Sequence, residues 1–181
     1  MKRLLVIVFL SVFAFGYSQD EKQVDFKKNE IKGNALLLVA GALEVTYERL
    51  INEESAVGVS LFVPYDNDIN TNFSLSPYYR FYFGQKPAAG FFVEGFGMLN
   101  SYTQENYYYA YKDFPPYNTI QTITKDTISD FTLGFGLGGK WVTKRGFVFE
   151  INGGVGRNLF NSSDTDNEFV GRGGITLGYR F

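Results

Sequence analysis

Eight ionisable residues recur at alternating positions in aromatic-rich stretches: Glu44, Glu48, Arg80, Glu94, Lys140, Glu150, Arg172 and Arg180. A carboxylate pair such as Glu44 and Glu48 could in principle exchange protons with a substrate. Four acids matched by four bases point instead to mutual neutralisation, because structural ion-pair networks also draw carboxylates together. The chain contains neither histidine nor cysteine. A Ser–His or Cys–His nucleophile is therefore excluded, as are zinc sites built from those residues. No enzyme activity, catalytic residue or cofactor is expected.

Two further motifs weaken on inspection. Asp66, Asp68 and Asn70 in "DNDIN" imitate the opening of a calcium-binding loop. Thr71 stands where that loop needs glycine, and Pro77 where it needs a bidentate glutamate. A solvated loop is expected, with no metal. "NSS" at Asn161 matches a glycosylation acceptor and carries little weight alone. The stretch "YTQENYYYAYKDFPPYNTIQTITKDT" is more distinctive, with Tyr107, Tyr108, Tyr109, Tyr111 and Tyr117 crowded about two prolines. Tyrosine offers a large contact area at low entropic cost, so this is a candidate recognition loop. Its competing reading is a hairpin whose tyrosines pack on one another.

Strands must position these residues. "MKRLLVIVFLSVFAFGYSQ" has a basic start, a short apolar run and small or polar residues after it. It reads as a signal peptide over residues 1–18, too short in its apolar part to span a bilayer. Its removal takes away Lys2 and Arg3 and shifts the formal charge from −2 to −4. No strongly basic block remains, so nucleic acid is not an expected partner. Residues 19–31 read as a flexible lead-in and 32–181 as one β-domain. Eight strands are expected over about Lys32–Ala40, Ala42–Leu50, Ser55–Pro64, Phe73–Phe83, Gly90–Tyr102, Ser129–Val142, Gly146–Arg157 and Glu168–Phe181. No amphipathic helix is expected among them. After the first hairpin, short and long connections alternate; the tight first hairpin, around "VAGAL", breaks the rule.

Period two sorts the side chains into faces. Phe131, Leu133, Phe135, Leu137 and Trp141 alternate with Thr132, Gly134, Gly136, Gly138 and Lys140. Each of the eight charged residues falls on the second kind of face. A soluble barrel would turn the apolar face inward, whereas a membrane barrel turns it outward. A face made so largely of glycine suits a narrow interior, where it leaves room for large charged side chains opposite. Tyr47, Phe81, Phe83, Phe91, Trp141, Phe147, Tyr179 and Phe181 should sit at one height, and Phe73, Phe131 and Phe169 near the other end. These are the girdles that a lipid–water interface favours. Pro77 should mark a defect in its ladder. Glu94 can point inward only if Phe92, Phe96 and Met98 do so too.

The chain closes on "ITLGYRF", with Ile175, Leu177, Tyr179 and Phe181 alternating to the last residue. In this and in the strand pattern the whole mature chain resembles the small OmpA/OmpX-like outer-membrane β-barrels of Gram-negative bacteria. The resemblance implies an all-β, eight-stranded, antiparallel up-and-down transmembrane β-barrel. It also implies that the last four alternating residues form an insertion signal for the outer-membrane assembly machinery. Other implied partners are outer-membrane lipid and lipopolysaccharide, with an extracellular partner unidentified and the barrel monomeric. The expected role is structural or surface-interacting. The alternatives are a soluble exported barrel binding a hydrophobic ligand, and a small-solute channel.

Overall fold

The computed structural model describes residues 27–111, 119–160 and 168–181, and side chains in that range other than those of residues 104–111 and 119–123. Eight strands form a closed barrel in sequence order. They are β1 (Asn29–Asn34), β2 (Ala42–Leu50), β3 (Ser55–Pro64), β4 (Thr71–Phe83), β5 (Gly90–Tyr111), β6 (Thr119–Val142), β7 (Phe147–Asn158) and β8 (Phe169–Arg180). Every neighbouring pair is antiparallel, and β1 closes the ring on β8 through Glu30↔Arg180 to Asn34↔Thr176. Where β1 pairs with β8, the closure removes an edge that an open sheet would expose.

The faces fall as the alternation predicts. Val45, Tyr47, Phe81, Leu133, Leu137, Trp141, Ile151 and Leu177 all point outward and are exposed. Arg80, Glu48, Lys140 and Glu150 point inward and are almost wholly buried. A wall that is apolar outside and charged inside suits hydrocarbon as its surroundings. Tyr47, Phe81, Phe83, Phe91, Trp141, Phe147, Tyr179 and Phe181 are all outward and exposed. Several touch, including Phe81 with Phe83 at 5.1 Å and Phe147 with Tyr179 at 5.7 Å between ring centroids.

Strand one departs from the sequence reading. It begins at Asn29 and ends at Asn34, so residues 29–31 belong to the barrel and not to a flexible lead-in. Residues Ala35–Val39 form a short helix, α1, where a strand was expected. The reason is local. Asn34 caps the helix by accepting from the Leu37 N–H at 3.2 Å, and Ala and Leu favour helix. Gly41, at φ 98°, takes the left-handed turn that ends it. The run "ALLLV" has no polar alternation to hold it in a strand. With α1 in place, the first connection spans Ala35–Gly41 and is no longer an exception to the alternation of short and long. The signal-peptide reading and residues 19–26 lie outside the described residues.

Two ladder irregularities follow from single residues. Leu75↔Leu99 and Tyr78↔Phe96 pair between β4 and β5, but Ser76 and Pro77 do not. Pro77 has no N–H to give, so the ladder skips it. The register also shifts between Thr71 and Phe73, leaving Asn72 as a bulge.

The second correction concerns the tyrosine-rich segment. The strand bounds expected at Tyr102 and Ser129 give way, because β5 runs on to Tyr111 and β6 begins at Thr119, paired throughout, as the projecting-hairpin reading expects. The β4 partner of β5 ends at Tyr102. The hairpin therefore projects about 30 Å beyond that rim, at roughly 3.4 Å per residue. Tyr107, Tyr108, Tyr109 and Tyr111 lie on β5; Tyr117 and Asn161 lie outside the described residues.

Candidate functional site

Below the projecting hairpin most even-numbered polar residues of the strands face the barrel interior, and the closure brings them together. Glu48 on β2 is the centre. Its carboxylate accepts from Lys32 Nζ at 2.8 Å, Arg80 Nη1 at 3.1 Å, Tyr78 Oη at 2.6 Å and Tyr82 Oη at 2.7 Å, and also from Lys140 Nζ. Glu150 on β7 lies 3.0 Å from Lys32 Nζ and 2.8 Å from Arg80 Nη1. Arg80 spends its Nε on Glu94 at 2.7 Å. Its guanidinium also lies over the Phe92 ring at 4.1 Å. Buried charges persist only when so paired and hydrogen-bonded.

Glu30 and Lys32 belong to this set and were missed from sequence. Lys140 donates to Glu30 at 2.8 Å, and Arg180 Nε does so at 2.7 Å. Their signal was present in "NEIKGN", where Glu30, Lys32 and Asn34 alternate with Ile31 and Gly33. Assigning Glu30 to a lead-in hid it. Adding one acid and one base to the eight keeps the signs balanced.

The two ends of the barrel differ. At the end with the tight turns, Arg180 Nη1 and Nη2 donate to the carbonyls of Pro87 and Ala88, each at 2.8 Å. Ala88 is completely buried and holds φ 43°. The β4–β5 turn thus folds back into the mouth and closes it. Leu50, Ala56, Tyr82 and Phe92 pack around Ala88. Towards the other end the contacts loosen. Glu44 accepts from Asn34 Nδ2 at 2.7 Å but stands 3.9 Å from Arg172. Arg172 is 3.8 Å from Glu94 and donates from Nη2 to Ser60 Oγ at 3.2 Å. Above them lies an open cavity of about 470 Å³.

The register on β5 is the inward one for Glu94. Phe92, Phe96 and Met98 are buried with it. Directly across the β5–β6 ladder stand Gly138 for Phe92, Gly136 for Glu94 and Gly134 for Phe96. Glycine opposite each large residue gives those rings and that carboxylate their space.

Asp66 caps its own turn by accepting from the Asp68 N–H at 3.0 Å. Ile175, Leu177, Tyr179 and Phe181 line the outer face of β8 and its end, where Phe181 exchanges backbone hydrogen bonds with Asn29 at 2.8 and 3.1 Å. Phe181 therefore also helps seal the barrel. Its deletion is expected to lower the yield of inserted barrel. The folded, fast-migrating gel band in membrane fractions would measure this, and an unchanged band would remove both roles.

These features define a class: a small membrane-type β-barrel, antiparallel and closed at eight strands, apolar outside and cross-linked by charges within. Among solved structures, the chain is similar to the N-terminal β-barrel domain of Pseudomonas aeruginosa OprF. The TM-score is 0.52 and the identity 15%, covering 85% of this chain and 96% of that one. At that identity the likeness establishes the fold alone, a closed antiparallel barrel of eight strands. No family model and no curated protein matches the chain.

Proposed function

We propose that this is an outer-membrane barrel of structural or surface-interacting role, non-enzymatic, with an interior closed to solutes. The observation that carries the reading is the Glu48-centred network, which spans the lumen from β1 to β7 with nearly every member buried. An eight-stranded interior is just wide enough to be filled by side chains. The outward apolar wall and its aromatic girdle support residence in a bilayer over the soluble, ligand-binding alternative. On this reading residues 1–18 are an export signal and the last strand is recognised by the assembly machinery. The barrel is a monomer in outer-membrane lipid and lipopolysaccharide.

The β5–β6 hairpin is the surface-interacting part. The β4–β5 register ends at Tyr102 and the β6–β7 register at Thr132, so the hairpin projects beyond the neighbouring strands. A projecting hairpin can pair along its edge with a strand from another protein, and the tyrosines of β5 would add contact area. In planar bilayers the purified barrel is expected to give no steady single-channel steps. Reproducible steps would overturn the closed interior and favour the small-solute channel.

A further inference from the structure

The barrel wall is incomplete beside the open cavity. β1 stops at Asn34, opposite Thr176. From Ile175 to Phe169, β8 has no strand partner on that side among the described residues. On β8 the odd-numbered residues aim their backbone groups at β1, as the exchange of Phe181 with Asn29 shows. One of these, the Gly173 carbonyl, is met by Asn34 Nδ2 at 3.2 Å. Helix α1 stands where the missing half-strand would run, with Leu36, Leu38 and Val39 exposed on its outer side. An unpaired strand edge in hydrocarbon is costly, so such an edge is tolerated where it borders a polar cavity.

The cavity behind this breach reaches the edge. Its lining includes four consecutive β8 residues, Val170 to Gly173, where a sealed wall would contribute alternate ones. Gly171 and Gly173 place no side chain across the opening. The breach runs from Phe169, at the outer aromatic level, down to Ile175, so it faces the outer half of the apolar band. Within, Leu37, Ile69, Met98 and Val170 supply apolar lining. Arg172 supplies charge: its side chain is nine-tenths buried, its Nη2 donates to Ser60 and lies 3.9 Å from Glu44, and its Nη1, 3.8 Å from Glu94, has no hydrogen-bond acceptor. Asn100 Oδ1 is likewise buried and unpartnered on the opposite wall.

We infer that the vestibule between α1 and β8 binds a single-chain anionic amphiphile. Its acidic head meets the Arg172 guanidinium, and its chain leaves through the breach into the outer leaflet. This rests on the membrane-barrel reading above. A guanidinium donor without an acceptor favours a carboxylate or phosphate oxygen, whose charge-assisted hydrogen bond is strong; Glu44 and Glu94, at 3.9 and 3.8 Å, are too distant to supply that bond. The volume lies within the range of small-molecule sites and accommodates one chain.

The test uses the full mature chain in nanodiscs of zwitterionic lipid, with dodecanoate ¹³C-labelled at its carboxyl as the probe. A folded, heat-modifiable band is required first; its absence would overturn the membrane-barrel reading, and the site with it. The expected result is a saturable bound ¹³C resonance, absent from empty nanodiscs. Arg172→Gln should weaken binding about ten- to a hundredfold, as loss of a charged hydrogen-bonding partner does. Ser74→Phe, which fills the cavity and leaves the charges in place, should weaken it comparably. Labelled butyrate should bind at least about tenfold more weakly, because methylene burial drives the chain's share. No saturable signal, or one untouched by both substitutions, would overturn the site. Equal binding of butyrate would make it a water-fed anion site and overturn access from the leaflet.

Discussion

Glu48→Ala should abolish the heat-resistant folded band at temperatures where the wild type retains it. Glu48 accepts from three cations and two tyrosines in a space almost wholly removed from water. Alanine leaves Lys32, Lys140 and Arg80 to share Glu30, Glu94 and Glu150, and leaves both phenols unpartnered. Breaking a buried ion pair from one side costs roughly 3–5 kcal/mol, because the remaining charge stays buried without compensation. That is a large share of the stability of a typical domain. Arg80→Ala should be costly by the same reasoning, since it strips Glu94 of its 2.7 Å partner and leaves only Arg172 at 3.8 Å. The check is the temperature at which the fast-migrating band converts to the unfolded one. A midpoint within a few degrees of wild type for Glu48→Ala would mean that water already reaches the network.

The second large effect is steric. Gly134→Val should prevent the barrel from closing or lower its conversion temperature sharply. A Cβ at Gly134 would stand 2.6 Å from the Val155 carbonyl oxygen and 2.7 Å from Gly156 Cα, and would collide with the Phe96 ring. The ring could swing aside. The β7 backbone could not move without breaking the β6–β7 ladder. Gly138 is held in the same way, with the Ile151 carbonyl oxygen at 2.5 Å. Overpacking of this kind costs about 1–3 kcal/mol, and more where backbone must move. Gly95 and Gly153 provide the control. Nothing lies within 4 Å of a Cβ added to either, so Gly95→Val and Gly153→Val should change stability by no more than about 0.5 kcal/mol. Equal loss at all the positions would point to strand propensity, and equal tolerance would mean that the interior has slack.

The contrast between these glycines shows which properties reside in the chain alone. Side-chain alternation is a local property of an extended backbone. Phe131 to Trp141 against Thr132 to Lys140, and Phe147 to Val155 against Glu150 to Gly156, already declare two faces and therefore a barrel. β2 and β3 match their sequence-read bounds for the same reason, being short, regular and bounded by turn residues. Helix α1 was hidden because "ALLLV" carries no period; Asn34 before it and Gly41 after it were the legible caps. The extent of β5 and β6 was hidden because their outer halves are polar, and polarity reads as loop when the partner strand is not in view.

What the tertiary structure decided is proximity. The β1–β2 ladder sets Glu30 opposite Glu48, but Lys140 lies on β6, and only closure of the ring brings it to both carboxylates. Sequence parity can say that Glu48 faces inward, but it cannot say which cations lie at the same height, since height depends on the stagger between strands. The same stagger sets Gly134 and Gly138 against Phe96 and Phe92, turning glycines that look merely small into positions where no side chain fits. It also leaves β8 unpaired above Thr176, because β1 ends before its neighbour does. A strand's faces are set by its own residues, whereas its partners, and the places where it has none, are set by how the whole ring closes.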